Sequence, residues 1–204
     1  MDPSFSEILR LARITAAIGI RDEHRLKREL KSALRSKIPV PAIREVILQS
    51  YLFAGYASAI NAFILLNHLV PGDQSFLTEQ ESSTTLWKSR GKRLCKIIYG
   101  KQYEKLVRNM SRLHPDLSEW MVVEGYGKVL SRPFLSPRVR ELLIVAITAV
   151  HRAERQFHSH VKGALHTGST ARELRAVLKA VAPFMSDEAS EHFHKLLEGI
   201  TAIG

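Results

Sequence analysis

The chain has a single cysteine, Cys95, in 204 residues. One thiol cannot close an internal disulfide, and a reducing, cytoplasmic compartment is the expectation. No stretch of about 18 consecutive apolar residues occurs, so no membrane span is expected. The opening residues, Met1-Asp-Pro-Ser-Phe-Ser-Glu7, lack the basic-then-apolar order of a signal peptide. Strand-type alternation is missing throughout, which excludes a sheet and leaves an all-α fold. Acidic residues are few: 20 Asp and Glu stand against 30 Lys and Arg, a net charge of +10. That excess invites an anionic partner. A small acidic molecule, a membrane surface and nucleic acid are the candidates, but a soluble surface that happens to be basic ranks ahead, because no nucleic-acid motif accompanies the charge.

What is present is a succession of helical periods. Residues 3–18 repeat Ile8, Leu11, Ala12, Thr15 and Ile18, with Asp2 as the expected cap. A charged helix follows over 22–35, with a Leu26, Leu30, Leu34 stripe. Pro41 opens a long helix over 42–69 that is apolar all round in its latter half, so that half should be buried centrally or at a subunit interface. Residues 70–83 read as a loop. Thr84 or Thr85 should cap a helix to Ile98, and another runs from Lys101 to Leu113. Between Lys88 and Arg112 stand nine basic residues and one acid, Glu104; a solvated face explains them more simply than a phosphate-binding one. A helix over 116–130 leads to Arg132-Pro-Phe-Leu-Ser-Pro-Arg-Val-Arg-Glu141. There Ser136 can cap the next helix and Pro137 suits its first position. Thr170 and Glu173 form a capping-box pattern, and a last helix spans 187–203.

Histidine and carboxylate chemistry concentrates late in the chain. His160 shares a helical face with Ala153, Gln156, Phe157 and Ala164. Glu141 is placed to meet it from the preceding helix, or to pair with Arg138 or Arg140. Six histidines follow residue 150, but the pairs His158/His160 and His192/His194 are two apart and diverge on a helix. No metal site and no cofactor is therefore expected. Cys95, on the basic helix, reads as a packed thiol lying far from these residues.

The run Tyr126-Gly127, Arg132-Pro133-Phe134-Leu135, Arg140 and His160-Val-Lys-Gly-Ala-Leu165 resembles the carboxymuconolactone decarboxylase / alkylhydroperoxidase D family. The resemblance implies an alkylhydroperoxidase D-like helical bundle. It brings over His160 and Glu141 as catalytic residues, and Arg132, Arg140, Gln156 and Tyr126 as substrate contacts. The peroxidase branch needs cysteines seven and four residues before the histidine, where this chain has Ala153 and Gln156, so the resemblance withholds peroxidase chemistry. It implies, for an active enzyme, a lyase: decarboxylation or proton transfer on a small carboxylated lactone or keto acid, with His160 as general acid and Arg132 or Arg140 holding carboxylate charge. The other reading is a non-catalytic binding or scaffold protein with an anionic partner. The family also implies a homo-oligomer, trimer or hexamer.

Lys31-Ser-Ala-Leu-Arg35 echoes Lys162-Gly-Ala-Leu-His166, Ile14-Thr-Ala echoes Ile147-Thr-Ala, and Arg44-Glu-Val echoes Arg172-Glu-Leu. These echoes predict an internal duplication: a first helical copy over 1–70 with Glu29 in place of His160, connecting basic helices over 71–114, and a second copy over 115–204 that carries the motif.

Overall fold

A computed structural model describes residues 2–78 and 83–202; part of the expected 70–83 loop lies outside them. Ten α-helices and no strand occur among the described residues: α1 Phe5–Gly19, α2 Glu23–Arg35, α3 Val40–Leu69, α4 Thr84–Tyr99, α5 Tyr103–Leu113, α6 Pro115–Trp120, α7 Pro137–Val150, α8 Glu154–His166, α9 Ala171–Val181 and α10 Asp187–Ala202. Between α6 and α7 the backbone widens into a π-helical stretch, Met121–Leu130. The expected single α-helix over 116–130 is thus two kinds of helix.

The starts follow local chemistry. Ser136 accepts from the Val139 N–H with Pro137 in the first turn, and Thr170 and Glu173 complete their capping box. Two caps fall elsewhere than expected. Ser4, not Asp2, caps α1 in a box with Glu7, and Ser83 caps α4. Asp2 accepts instead from the Ser136 backbone N–H at 2.9 Å, tying the start of the chain to the start of α7.

One core joins α1, α2 and α3, including Ala59, Ala62 and Leu66 beyond its midpoint, to α7, α8, α9 and α10; every residue from Val139 to Ala149 is buried. A second, smaller core gathers Leu94, Cys95 and Ile98 of α4, Tyr103, the π-helical Val122, Tyr126, Val129 and Leu130, and Ile144 of α7. The basic helix α4 therefore packs its apolar face beside the motif. It crosses the π-helical stretch at a distance only glycine permits. A Cβ on Gly91 would sit 1.9 Å from the Val122 carbonyl oxygen, and one on Gly127 would sit 2.0 Å from that of Trp87.

The long helix departs most from expectation. It breaks at Gly55, whose φ of 82° and ψ of 165° are non-helical; glycine adopts that conformation without a Cβ penalty. By length and composition α3 is apolar enough to cross a membrane, the one such helix among the described residues. Its second half is buried on one face only, through Ala59, Ala62 and Leu66, while Tyr56, Ile60 and Ile64 stand 66%, 52% and 52% exposed, one turn apart. Its first half is buried and carries Arg44, Glu45 and Gln49.

The helix ends repeat. After α1, Arg21 has φ 58° and Asp22 N–H donates to Ala17; after α7, Arg152 has φ 55° and Ala153 N–H donates to Thr148. After α2, Lys37 has φ 59° and Ile38 N–H donates to Ala33; after α8, Gly168 has φ 96° and Ser169 N–H donates to Ala164. All four are left-handed helix terminations of the Schellman type. Each pair lies 131 positions apart, as do the N-caps Pro39 and Thr170. In that register Lys31–Arg35 does match Lys162–His166, and Glu29 matches His160. The Ile14 and Arg44 echoes fall out of that register by two and three residues.

Substituting alanine at Gly127 tests the close crossing. Backbone contacts cannot yield as side chains do, so overpacking should cost about 3 kcal/mol or more. Thermal denaturation of Gly127→Ala should show a fall of several degrees, and an unchanged melting temperature would contradict the packing.

Candidate acid–base site

Helix α7 presents neighbouring residues to different partners, because successive side chains on a helix diverge. Glu141 turns toward α8. His160 Nδ1–H donates to Glu141 Oε2 at 2.8 Å, and both side chains are almost wholly buried. A carboxylate only accepts, which places the Nδ1 proton on the imidazole and leaves Nε2 as the ring atom open to chemistry. Phe53 meets the His160 ring edge-on, with centroids 6.0 Å apart. The other carboxylate oxygen, Glu141 Oε1, is buried without a hydrogen-bond partner.

Around this pair lies a ring of protonated groups. The Tyr99 and Tyr126 hydroxyls are hydrogen-bonded to each other. Burial first, and then the charges of Glu141 and neighbouring groups, raise both phenols well above their ordinary range. Cys95 behaves alike: burial and then Glu141's charge push its thiol up to about 12. It is therefore close to Glu141, a correction to the expectation that it lies far from the motif. Gly163 makes room for the carboxylate, since a Cβ there would stand 2.5 Å from Glu141 Oε2.

Arg140 turns the other way, toward α3. Its guanidinium donates to Glu45 Oε2 at 3.2 Å, Gln49 Oε1 at 3.0 Å and the Arg132 carbonyl at 3.1 Å. Gln49 returns a bond to the Arg140 carbonyl. Arg132 grips Glu45 through Nε and a terminal nitrogen at 2.7–3.1 Å. Arg138 pairs with Glu173. Glu141 therefore pairs with neither Arg138 nor Arg140.

Of the residues expected at one site, the structure brings together His160, Glu141 and, through Tyr99, Tyr126. It gathers Arg132 and Arg140 around Glu45 instead. Gln156 is exposed on α8, off the buried Phe157, His160, Val161 and Ala164 face. Tyr99, Cys95, Phe53, Gly163 and Glu45 were not singled out as site residues by the sequence reading. Only Gly163 left a local signal, as a small residue one turn after the histidine.

The described residues form an all-helical bundle with a buried histidine hydrogen-bonded to a glutamate. Residues 115–198 match the model of the carboxymuconolactone decarboxylase family. It is 28% identical over 156 residues to peroxisomal protein 2 of Schizosaccharomyces pombe, covering 75% of this chain and 72% of that one. It is 30% identical over 163 residues to peroxisomal protein 2 of Saccharomyces cerevisiae, covering 66% of this chain and 57%, less than two thirds, of that one.

The thiol's raised pKa has a sign that can be checked. A thiol ionises less readily folded than unfolded, so the stability it contributes is full below about pH 9, the ordinary thiol value, and is lost as pH rises towards about 12. Cys95→Ala should soften the loss of stability above pH 9. Native Cys95 should also resist iodoacetamide at pH 8 until the protein is denatured; rapid alkylation of the folded chain would contradict its burial.

Proposed function

We propose that the chain is a proton-transfer protein of the carboxymuconolactone decarboxylase type, acting on a small carboxylated lactone or keto acid. The observation that carries this reading is the buried hydrogen bond from His160 Nδ1 to Glu141 Oε2 at 2.8 Å. When a substrate carboxylate leaves as carbon dioxide, its bonding electron pair moves into the conjugated carbonyl. His160 Nε2–H then delivers the proton to carbon, and Glu141 stabilises the imidazolium beforehand. Arg132 and Arg140, bound by Glu45, serve here to seat α7 rather than to clamp substrate. That occupation favours the second reading, a binding or scaffold protein, in which the His–Glu bond only joins α7 to α8.

His160→Asn separates the two. The enzyme reading expects the fold to persist while carbon dioxide release from a panel of carboxylated lactones falls by about a hundredfold or more. Gly163→Ala, which displaces the Glu141 carboxylate, should fall in the same direction. The scaffold reading expects no turnover in either protein and a loss of roughly 1–3 kcal/mol from the poorly satisfied amide.

The turns and caps repeated 131 positions apart support an ancient internal duplication with one working site. In the first copy Glu29 stands at the histidine position and is held by Arg13 at 2.8 Å. That pair crosses α1 and α2 much as His160 and Glu141 cross α7 and α8, with acid and base exchanged. The relatives' names support a peroxisomal location over the cytoplasm that the single cysteine favours.

The exposed Tyr56, Ile60 and Ile64 row supports a homo-oligomer assembled through the second half of α3, since contiguous apolar faces of this kind mark interaction surfaces. Light scattering should give a multiple of 23.0 kDa and Ile60→Lys with Ile64→Lys a monomer. A wild-type monomer across a wide concentration range would overturn the assembly.

A further inference from the structure

A cavity lies away from His160. It measures about 570 Å³ and opens between α3, the 76–78 stretch, α4 and the π-helical segment. Its walls include three cations, Arg44, Lys128 and Arg132, and three aromatic rings, Phe63, Phe76 and Trp87. Neither His160 nor Glu141 lines it. Cavities of this size accommodate a small organic ligand.

Two donors on its walls are buried without an acceptor: Arg44 Nε and Trp87 Nε1. Arg44 is 95% buried, with 5% exposure. Its terminal nitrogens are spent on Asn67 at 3.0 Å and on the Asp73 carbonyl at 3.1 Å, and its guanidinium lies 4.4 Å over the Phe76 ring centre. Buried N–H groups are ordinarily paired, so two left over in one cavity point to an occupant with acceptors.

The charges narrow its identity. Glu45 is taken up by Arg132 and Arg140, and Asp73 contacts Arg44. Lys128 forms no ion pair among the described residues; its ammonium stands 4.9 Å over the Trp87 ring. One cation without a carboxylate partner fits a monoanion. A carboxylate brings one charge and two acceptor oxygens, whereas a phosphate monoester brings close to two charges. The aromatic walls fit a flat apolar body.

We propose that this cavity is a binding site for a small aromatic carboxylate, separate from the His160–Glu141 pair. The inference does not rest on the proposed decarboxylase chemistry.

The probe is 2-naphthoate, titrated into the full chain carrying Trp120→Phe so that Trp87 is the remaining tryptophan. Trp87 emission should change saturably with one ligand per chain. Lys128→Gln, at a half-buried position, should weaken binding at least tenfold without moving the melting temperature. Neutral 2-naphthylmethanol should bind at least tenfold more weakly, and phenyl phosphate more weakly than the carboxylate. His160→Asn should bind 2-naphthoate as tightly as its parent. No saturable change up to millimolar 2-naphthoate would overturn the proposal and leave a merely hydrated cavity. So would binding that Lys128→Gln leaves intact, binding that the neutral alcohol matches, or binding lost in His160→Asn.

Discussion

The fold turns on one buried carboxylate, Glu45 of α3. It faces two guanidiniums, Arg132 in the loop before α7 and Arg140 one turn inside that helix, in a region from which water is nearly excluded. Burial lowers Arg140 from the ordinary guanidinium value and Glu45 opposes the change. Such a cluster is not a cheap source of stability, because desolvating three charges offsets most of their attraction. Its value is positional. Removing one member strands the others, at a cost typically about 3–5 kcal/mol, so α3 and α7 are held in a single register.

That register orients the acid–base pair. Arg140 and Glu141 are consecutive, and the helix sends them in divergent directions. With Arg140 fastened to Glu45 and Gln49, Glu141 points toward α8, where Gly163 leaves space for it against His160. The surrounding groups, Tyr99, Tyr126 and Cys95, all resist ionisation because they are buried. A carboxylate in such surroundings holds an imidazole in one tautomer, which is the condition for directed proton transfer.

The legible parts of the sequence were those written in local chemistry. Ser136, Pro137 and Thr170 mark helix starts by their own side chains, and the motif spacing placed Glu141 and His160 on adjacent helices. The illegible parts were distant in sequence. Nothing near Glu45 announces that an acid on an apolar helix meets arginines about ninety residues later. Periodicity carried the long helix straight through Gly55, because one positive φ leaves no trace in an apolar pattern. The Ile14 and Arg44 echoes fall outside the 131-residue spacing of the repeated Schellman turns, a spacing carried by backbone geometry rather than by residue identity. Gln156 matched a family position but lies outside the buried face, since a fit to a motif does not fix which way a helix is rolled.

The account stands or falls on the protonation geometry of one ring. Long-range proton–nitrogen correlation spectra of the protein labelled with nitrogen-15 histidine, assigned by comparison with His160→Asn, would read it directly. The account predicts that His160 carries its proton on Nδ1 in the neutral form and that Glu141→Gln changes that tautomer balance. A ring protonated on Nε2 with a bare Nδ1, unaffected by Glu141→Gln, would contradict it.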